Sequence, residues 1–245
     1  MNIPMTNEIQ NPVSGNKLIL IADPEILAIP IKENHDPLID LKDQSIIILG
    51  PSPEIPNNTD YTKMRLSVYK KLVEAQTMLP QGLKFCLYEG LRNLVLQEKL
   101  FNDRYCLLKK KNPSWSHTEI FIESTKFVSP VINLDGSQNI PPHSTGAAID
   151  VYLLDDKNQR INMGMGVDDS IQDIDGALSM TDSTCITEEA KKNRRIMGDV
   201  LRAVGFVNYP TEFWHWSYGD RYWAYHKQEP YALYGSISSF PSTEF

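Results

Sequence analysis

Hydrophobic positions along the chain follow two spacings, one typical of helices and one typical of strands. Residues 61–79 carry apolar side chains near one helical face, and Pro80 ends that pattern. A second helical stretch covers about residues 94–105. A third begins after Thr187, which has the position of an N-cap, and ends at Gly205, where a C-terminal cap belongs. The sequence therefore predicts three main helices.

Strand patterns are shorter and lie between these helices. Residues 148–154 alternate apolar and polar side chains, which predicts a strand with one apolar face. Phe85 and Leu87 predict another strand just before Gly90, and the short apolar runs at 18–21 and 46–49 also read as strands. Residues 155–182 are polar and rich in glycine, which predicts a long loop. Helices and strands mix without a βαβ rhythm, so we expect an α+β fold.

Length and composition limit the organisation of the chain. At 245 residues, it suits a single domain with a modest extension. Residues 1–60 are rich in proline and asparagine, and we predict that they form an N-terminal extension packed on a catalytic domain of residues 61–245. The three cysteines lack the C-x-x-C spacing of a cysteine-based zinc site, and their odd number argues against a disulfide framework.

Charge and hydropathy bear on partners and location. Twenty-four basic and 31 acidic residues give a net charge of −7, which argues against a nucleic-acid partner. No apolar run reaches the roughly 18 residues that span a bilayer, so no membrane partner is expected. Residues 1–15 lack the pattern of a secretory signal. We expect a cytoplasmic protein, or a periplasmic one if a signal has been removed, and nothing indicates its oligomeric state.

Two of the five histidines occur together with acidic residues. His143 precedes Asp150 by seven positions, and His215 follows Glu212 by three. A catalytic zinc ion is commonly held by two histidines and one carboxylate, with a second carboxylate nearby as a base. These four residues can supply that set, although buried, hydrogen-bonded histidines would give the same pattern. Glu212 and His215 would face opposite sides of a regular strand, so their convergence requires a turn.

The motifs around these residues resemble a known family. The run HSTGAAID from His143 to Asp150, followed by EFWH from Glu212 to His215, is similar to the zinc D-Ala-D-Ala peptidases. Within that family the sequence most resembles the D-alanyl-D-alanine dipeptidase branch known from vancomycin resistance. Three weaker stretches agree in order: YEGLR at 88–92, Met163-Gly164 with Asp168, and a segment from Cys185 through NRR at 193–195 to Gly205-Phe206. The match covers about residues 61–225.

This resemblance implies a role for each residue of the site. His143, Asp150 and His215 would hold one Zn²⁺ per chain. Glu212 and Arg92 would be catalytic, the first as general base and acid and the second beside the scissile carbonyl. The predicted substrate contacts are Asp168, which would pair with the free amine, and Ser144. The implied substrate is D-Ala-D-Ala or a related small D,D-dipeptide, as in cell-wall metabolism, and the zinc site would lie on a central antiparallel sheet flanked by helices.

The sequence departs from the family at two places near the site. The family usually has tyrosine before the arginine and proline after it, whereas this chain has Leu91 and Asn93, from which we expect a less rigid loop at Arg92. Prolines 141 and 142 replace small polar residues and remove two backbone donors.

Two other functions remain open beside the dipeptidase. A D,D-carboxypeptidase acting on peptidoglycan stem peptides would need a groove open on the side of the amine, which Asp168 would close. A zinc-containing binding protein without catalysis is the other alternative. An intact Glu212 argues against it, because a purely structural metal site has no use for an unliganded base.

Overall fold

The fold is organised around a five-stranded sheet in a computed structural model that describes residues 18–51, 60–166 and 173–237. In chain order the strands are β1 (Leu38–Asp40), β2 (Ile48–Leu49), β3 (Lys63–Arg65), β4 (Lys84–Glu89), β5 (Ala148–Leu154), β6 (Val207–Asn208) and β7 (His215–Ser217). The helices are α1 (Pro24–Leu27), α2 (Leu66–Met78), α3 (Leu94–Lys111), α4 (His117–Thr125), α5 (Glu188–Ala203) and α6 (Arg221–Lys227). Among these helices, none is long and apolar enough to cross a membrane.

The main sheet has the strand order β2-β4-β5-β7-β6, and β1 pairs with β3 in a separate two-stranded sheet. All the pairs inside the main sheet are antiparallel except the edge pair of β2 and β4. That edge is parallel because α2 lies between the two strands in sequence and carries the chain back to the starting end of the sheet. The predicted α+β class with a central antiparallel sheet is confirmed, apart from this one parallel pair.

One face of the sheet packs against helices and forms the core. Ile149, Val151 and Leu153 of β5 point to this face and are fully buried with side chains from α2 and α5. Asp150 and Tyr152 alternate with them and point to the other face. The period-two pattern of residues 148–154 thus sets Asp150 on the opposite side of the strand from the core.

Helix α5 agrees with its predicted boundaries because its caps are local. The Thr187 side chain accepts a hydrogen bond from the Ala190 amide at the first turn. At the other end, Gly205 has a φ of +100°, and the Phe206 amide donates to the carbonyl of Leu201. This pairing is a Schellman motif, in which glycine accepts the left-handed conformation.

Helix α2 begins at Leu66, five residues after the predicted start at Tyr61. The backbone of the intervening residues forms hydrogen bonds with other parts of the chain. Residues 63–65 pair with β1, while the Gly90 and Leu91 amides donate to the carbonyls of Tyr61 and Lys63. These tertiary hydrogen bonds hold the segment extended, so the helical spacing of its side chains does not decide its conformation.

Other predicted elements differ from the structure in extent or type. Helix α3 extends to Lys111, beyond the predicted end at residue 105. Helix α4 was missed, although Ser116 and Glu119 form a capping box that the sequence contains. The predicted strand at residues 18–21 is wrong: Leu20 and Asp23 make a turn there, and Ile21 packs on Tyr209 and Tyr222. The short run at 46–49 does contain a strand, β2.

The predicted long loop at 155–182 contains no helix or strand in its described parts, 155–166 and 173–182. The proposed boundary at residue 60 between an extension and a catalytic domain stays a prediction. Residues before that point contribute to both sheets, through β1 and β2, and the amide of Lys32 donates to the carbonyl of Ala232.

Candidate active site

Three potential metal ligands converge from two strands and one turn. Asp150 of β5 and His215 of β7 are directly paired in the antiparallel ladder, so their side chains share one face of the sheet. His143 lies in a short 3₁₀ helix, Pro142–Thr145, that leads into β5. Gly146 ends this turn with a φ of +69°, which lets the chain enter the strand immediately.

The three ligating atoms form a nearly equilateral triangle. His143 Nε2 lies 3.1 Å from His215 Nδ1 and 3.3 Å from Asp150 Oδ1, and the third side, between His215 Nδ1 and Asp150 Oδ1, is 3.1 Å. All three residues are buried. In a tetrahedral zinc site with bonds of about 2.0–2.1 Å, ligand atoms lie about 3.3–3.4 Å apart. The donor set therefore fits such an ion in type and in spacing.

The surroundings hold these groups in the forms that bind metal. His143 Nδ1 is 2.7 Å from the carbonyl oxygen of Gly90. A carbonyl only accepts, so Nδ1 carries the hydrogen and Nε2 offers its lone pair. Burial raises the pKa of Asp150, but while no metal is bound the protonated imidazoles of His143 and His215 outweigh it through their charge and hydrogen bonds and hold that pKa well below its ordinary value. Asp150 is therefore an anion.

Glu212 lies beside the three ligands without joining them. The amide of His215 donates to the carbonyl of Glu212 at 3.1 Å, which closes the turn that the sequence required before β7. The Glu212 carboxylate oxygen Oε2 is 3.9 Å from His215 Nδ1, farther than the ligand atoms are from one another. Asn208 donates to the backbone carbonyls of both Glu212 and His215 and so braces the turn. Glu212 is placed as a second carboxylate next to the metal set.

Arg92 approaches the same set from the end of β4. Its backbone amide donates to the carbonyl of His143 at 3.1 Å, which ties the arginine segment to the 3₁₀ turn. Its Nη2 atom lies 3.5 Å from Glu89 Oε2 and 4.0 Å from Asp150 Oδ2. The arginine side chain is about nine-tenths buried. A fixed positive charge therefore stands next to the three ligands.

Comparison with known proteins gives the family of this chain. Residues 64–232 match the peptidase M15 family described as D-Ala-D-Ala dipeptidase. The chain belongs to the D-Ala-D-Ala dipeptidase family. It is thus a hydrolase of the metallopeptidase class, and the resemblance read from the motifs is confirmed.

A curated relative and two solved structures resemble this dipeptidase-family chain. A D-alanyl-D-alanine dipeptidase from Synechocystis is 25% identical over 236 residues, which cover 86% of this chain and 96% of the relative. VanYB in complex with D-alanine-D-alanine is 13% identical with a TM-score of 0.46, over 84% of this chain and 94% of VanYB. A mutant of the D,D-pentapeptidase VanY in complex with Zn(II) is 13% identical with a TM-score of 0.44, over 82% and 93% of the two chains. The family membership rests on the match over residues 64–232.

The two predicted substrate contacts of this family member both stay predictions. Ser144 is fully buried in the 3₁₀ turn, and its hydroxyl donates to the carbonyl of Pro141 at 2.7 Å. Its role as a substrate contact stays a prediction. Asp168 lies outside the described residues.

Two further residues next to the site were not assigned from the sequence. Glu89 is fully buried and pairs with Asp150 in the sheet after a bulge, and it was visible only as part of the YEGLR stretch. Gln97 contacts Arg92 from α3, and the sequence carries no signal for that contact. Asn93 caps the same helix, since its side chain accepts from the amide of Leu96 at 2.9 Å.

A cavity of about 330 Å³ lies on the face of the sheet that carries Asp150. Tyr152, two residues after Asp150 on β5, lines it together with Tyr88, and the centroids of the two stacked rings lie 3.9 Å apart. Arg160, Phe213 and residues 161–166 complete the lining. This space is large enough for a small ligand.

Proposed function

We propose that the chain is a zinc D,D-dipeptidase that hydrolyses D-Ala-D-Ala, or a closely related D,D-dipeptide, to free amino acids. The observation that carries the proposal is the arrangement of four side chains. His143, Asp150 and His215 present three ligand atoms within 3.3 Å of one another, and Glu212 stands beside them as a separate carboxylate. One such set among residues 18–51, 60–166 and 173–237 corresponds to one zinc ion.

Glu212 is the proposed general base and acid. A zinc ion in this site would lower the pKa of a bound water to about 7, which makes hydroxide available at neutral pH. Glu212 accepts the proton of the attacking water and later delivers it to the leaving amine nitrogen as the C–N bond breaks. The distance of 3.9 Å between Glu212 Oε2 and His215 Nδ1 supports this role.

Arg92 is the proposed stabiliser of the negative charge that develops on the scissile carbonyl oxygen. Its guanidinium is buried and already oriented beside Asp150, so little reorganisation is needed when that charge appears. In other hydrolases, loss of one such preorganised donor raises the barrier by about 2.7–4 kcal/mol.

Asp168 and Ser144 are the proposed substrate contacts. The resemblance to the family is the sole support for Asp168, which would pair with the free ammonium group of a dipeptide and so exclude the interior of long chains. Ser144, next to His143, would be the second contact with the substrate.

A D,D-carboxypeptidase is the second candidate, and the cavity lined by Tyr88, Tyr152 and Arg160 favours it. The stacked tyrosines and Arg160 provide space and polarity beyond the immediate surroundings of the metal ligands. A longer stem peptide with its own acidic groups would suit such a lining better than a free dipeptide does.

The deciding experiment is D-alanine release by zinc-loaded protein from three substrates. D-Ala-D-Ala, L-Ala-L-Ala and a stem pentapeptide ending in D-Ala-D-Ala are compared, with a chelated sample alongside. If chelator-sensitive release is fastest from the D,D-dipeptide, the dipeptidase is supported. Release from the pentapeptide alone supports the carboxypeptidase, and no release from protein that holds zinc contradicts both.

A further inference from the structure

Gln97 is a buried amide whose two ends are both occupied. It lies in the first turns of α3 and is 2% exposed. Its Oε1 accepts a hydrogen bond from Arg92 Nη1 at 3.1 Å, and its Nε2 donates to the carbonyl of Ser129 at 2.7 Å. Arginine only donates and a carbonyl only accepts, so the partners themselves define which end of the amide is oxygen. The side chain has one orientation that satisfies both neighbours.

This contact fixes the direction of the arginine head group. Gln97 holds Nη1, while Nη2 faces Glu89 at 3.5 Å and Asp150 at 4.0 Å. A guanidinium is planar, so restraining two of its nitrogens defines both the plane and the direction of the remaining donors. Gln97 achieves this without adding a carboxylate. Because the amide is neutral, it does not add to the negative charge that Glu89 and Asp150 already place beside Arg92.

The backbone around Asn93 positions Gln97 along α3 so that its side chain reaches Arg92. Asn93 follows Arg92 directly and caps α3, and the amide of Gln97 donates to the carbonyl of Asn93 at 3.0 Å. The first helical turn therefore connects the arginine to the glutamine through a single hydrogen-bonded segment. Asn93 stands where the family usually has proline, and its cap fixes the start of the helix by a different means.

The far end of the amide is anchored to a second buried segment. Asn139, which is 1% exposed, donates to the Ser129 hydroxyl at 3.0 Å and to the carbonyl of Pro130 at 2.8 Å. Residues 139–141 then lead directly into the turn that carries His143. Gln97 is thus held by the same part of the chain that positions a metal ligand.

We propose that Gln97 is a positioning residue for catalysis, which holds the guanidinium of Arg92 against the scissile carbonyl in place of the rigidity that a proline after the arginine would provide. The inference rests on the proposed function. It assigns Gln97 no contact with substrate and no contact with the metal.

The test is a double-mutant cycle with Gln97→Met and Arg92→Ala on zinc-loaded protein. Methionine keeps the length and approximate volume of glutamine and removes both hydrogen bonds. We expect Gln97→Met to lower kcat for D-Ala-D-Ala about 10- to 100-fold with KM changed less than about threefold. In the Arg92→Ala background, the same change should cost less than about twofold, because its effect passes through the arginine. Equal losses in both backgrounds would overturn the proposal, as would an unchanged kcat in the single variant.

Gln76→Met is the matched control. Gln76 on α2 also uses both ends of its amide, accepting from the Phe85 amide and donating to the carbonyl of Leu83, but it is remote in sequence from Arg92 and bonds only to backbone. It should lower Tm and leave kcat unchanged. A fall in kcat of the same size as for Gln97→Met would show that loss of stability explains both variants.

A second measurement judges the positioning independently of turnover. Arg92 is modified with phenylglyoxal in metal-free protein, and the rate is followed by mass spectrometry of the peptide that contains it. We expect a severalfold faster reaction in Gln97→Met than in wild type and no change in Gln76→Met. An unchanged rate would contradict the proposal even if wild-type protein proved inactive on D-Ala-D-Ala, so the failure of the proposed function and the failure of this inference are distinguishable.

Discussion

Asp150 and His215 are direct partners across β5 and β7, and their Oδ1 and Nδ1 atoms lie 3.1 Å apart. The register of one antiparallel pair thus brings together two potential ligands that are 65 residues apart in sequence. A shift of one residue in that register would turn one of them to the opposite face of the sheet and destroy the site. The arrangement of these potential ligands therefore depends on the pairing of β5 with β7.

Replacing His215 with alanine is expected to remove the metal. Two ligand atoms would remain. Loss of a residue that only supports a ligand lowers metal affinity roughly 10- to 100-fold, and loss of a ligand itself should lower the zinc affinity further. Zinc content after dialysis, measured by atomic emission, checks this. His117→Ala is the control, because His117 lies in α4 and contacts Tyr105 instead of the site. Full zinc occupancy in His215→Ala would remove His215 from the ligand set.

Replacing Glu212 with glutamine is expected to separate zinc binding from turnover. The variant should hold zinc as wild type does, because Glu212 stands outside the ligand triangle, while kcat should fall about 10²- to 10⁴-fold with the loss of the base. Zinc content and D-alanine release are measured on the same sample. Exposed Glu229→Gln serves as the control and should retain both. Zinc loss in Glu212→Gln would instead identify Glu212 as a ligand.

Replacing Asp168 with alanine is expected to change substrate preference rather than the metal. KM for free D-Ala-D-Ala should rise, because the ammonium group loses its proposed partner, and N-acetylated D-Ala-D-Ala should become relatively better. Steady-state kinetics with both substrates provide the comparison, with Asp169→Ala as the control for the neighbouring charge. An identical preference in wild type and Asp168→Ala would contradict the role of Asp168 as an amine anchor.

Replacing Arg194 with methionine is expected to destabilise the loop beside the site. The buried guanidinium donates to three carbonyls, those of Met163, Leu178 and Met180, at 2.6–2.8 Å. Hydrogen bonds from a charged group stabilise by roughly 1.5–3 kcal/mol each, so the loss should be about 3 kcal/mol or more, or roughly 6–12 °C in Tm. Exposed Arg195→Met should stay within about 0.5 kcal/mol of wild type. Equal Tm values for the two variants would show that these hydrogen bonds make no net contribution to the stability of the fold.

Elements with local signals were the most predictable part of the fold. The limits of β5 and the two caps of α5 follow from side chains within a few residues of one another. The segment 61–65 was included in the predicted helix 61–79, whose apolar face begins at Leu66. Its backbone instead pairs with β1 and with the residues that follow β4, which no local pattern shows.

The sequence alone determined the chemical composition of the site, its order along the chain and its family. Two histidines, two carboxylates and an arginine, each in a recognisable motif, are properties of short stretches. Only the tertiary structure decided that three ligand atoms lie within 3.3 Å of one another, that Glu212 stays outside them, and that Gln97 directs Arg92. The physical reason is range: alternation and capping act over one to four residues, whereas these contacts depend on strand register and on where a helix docks.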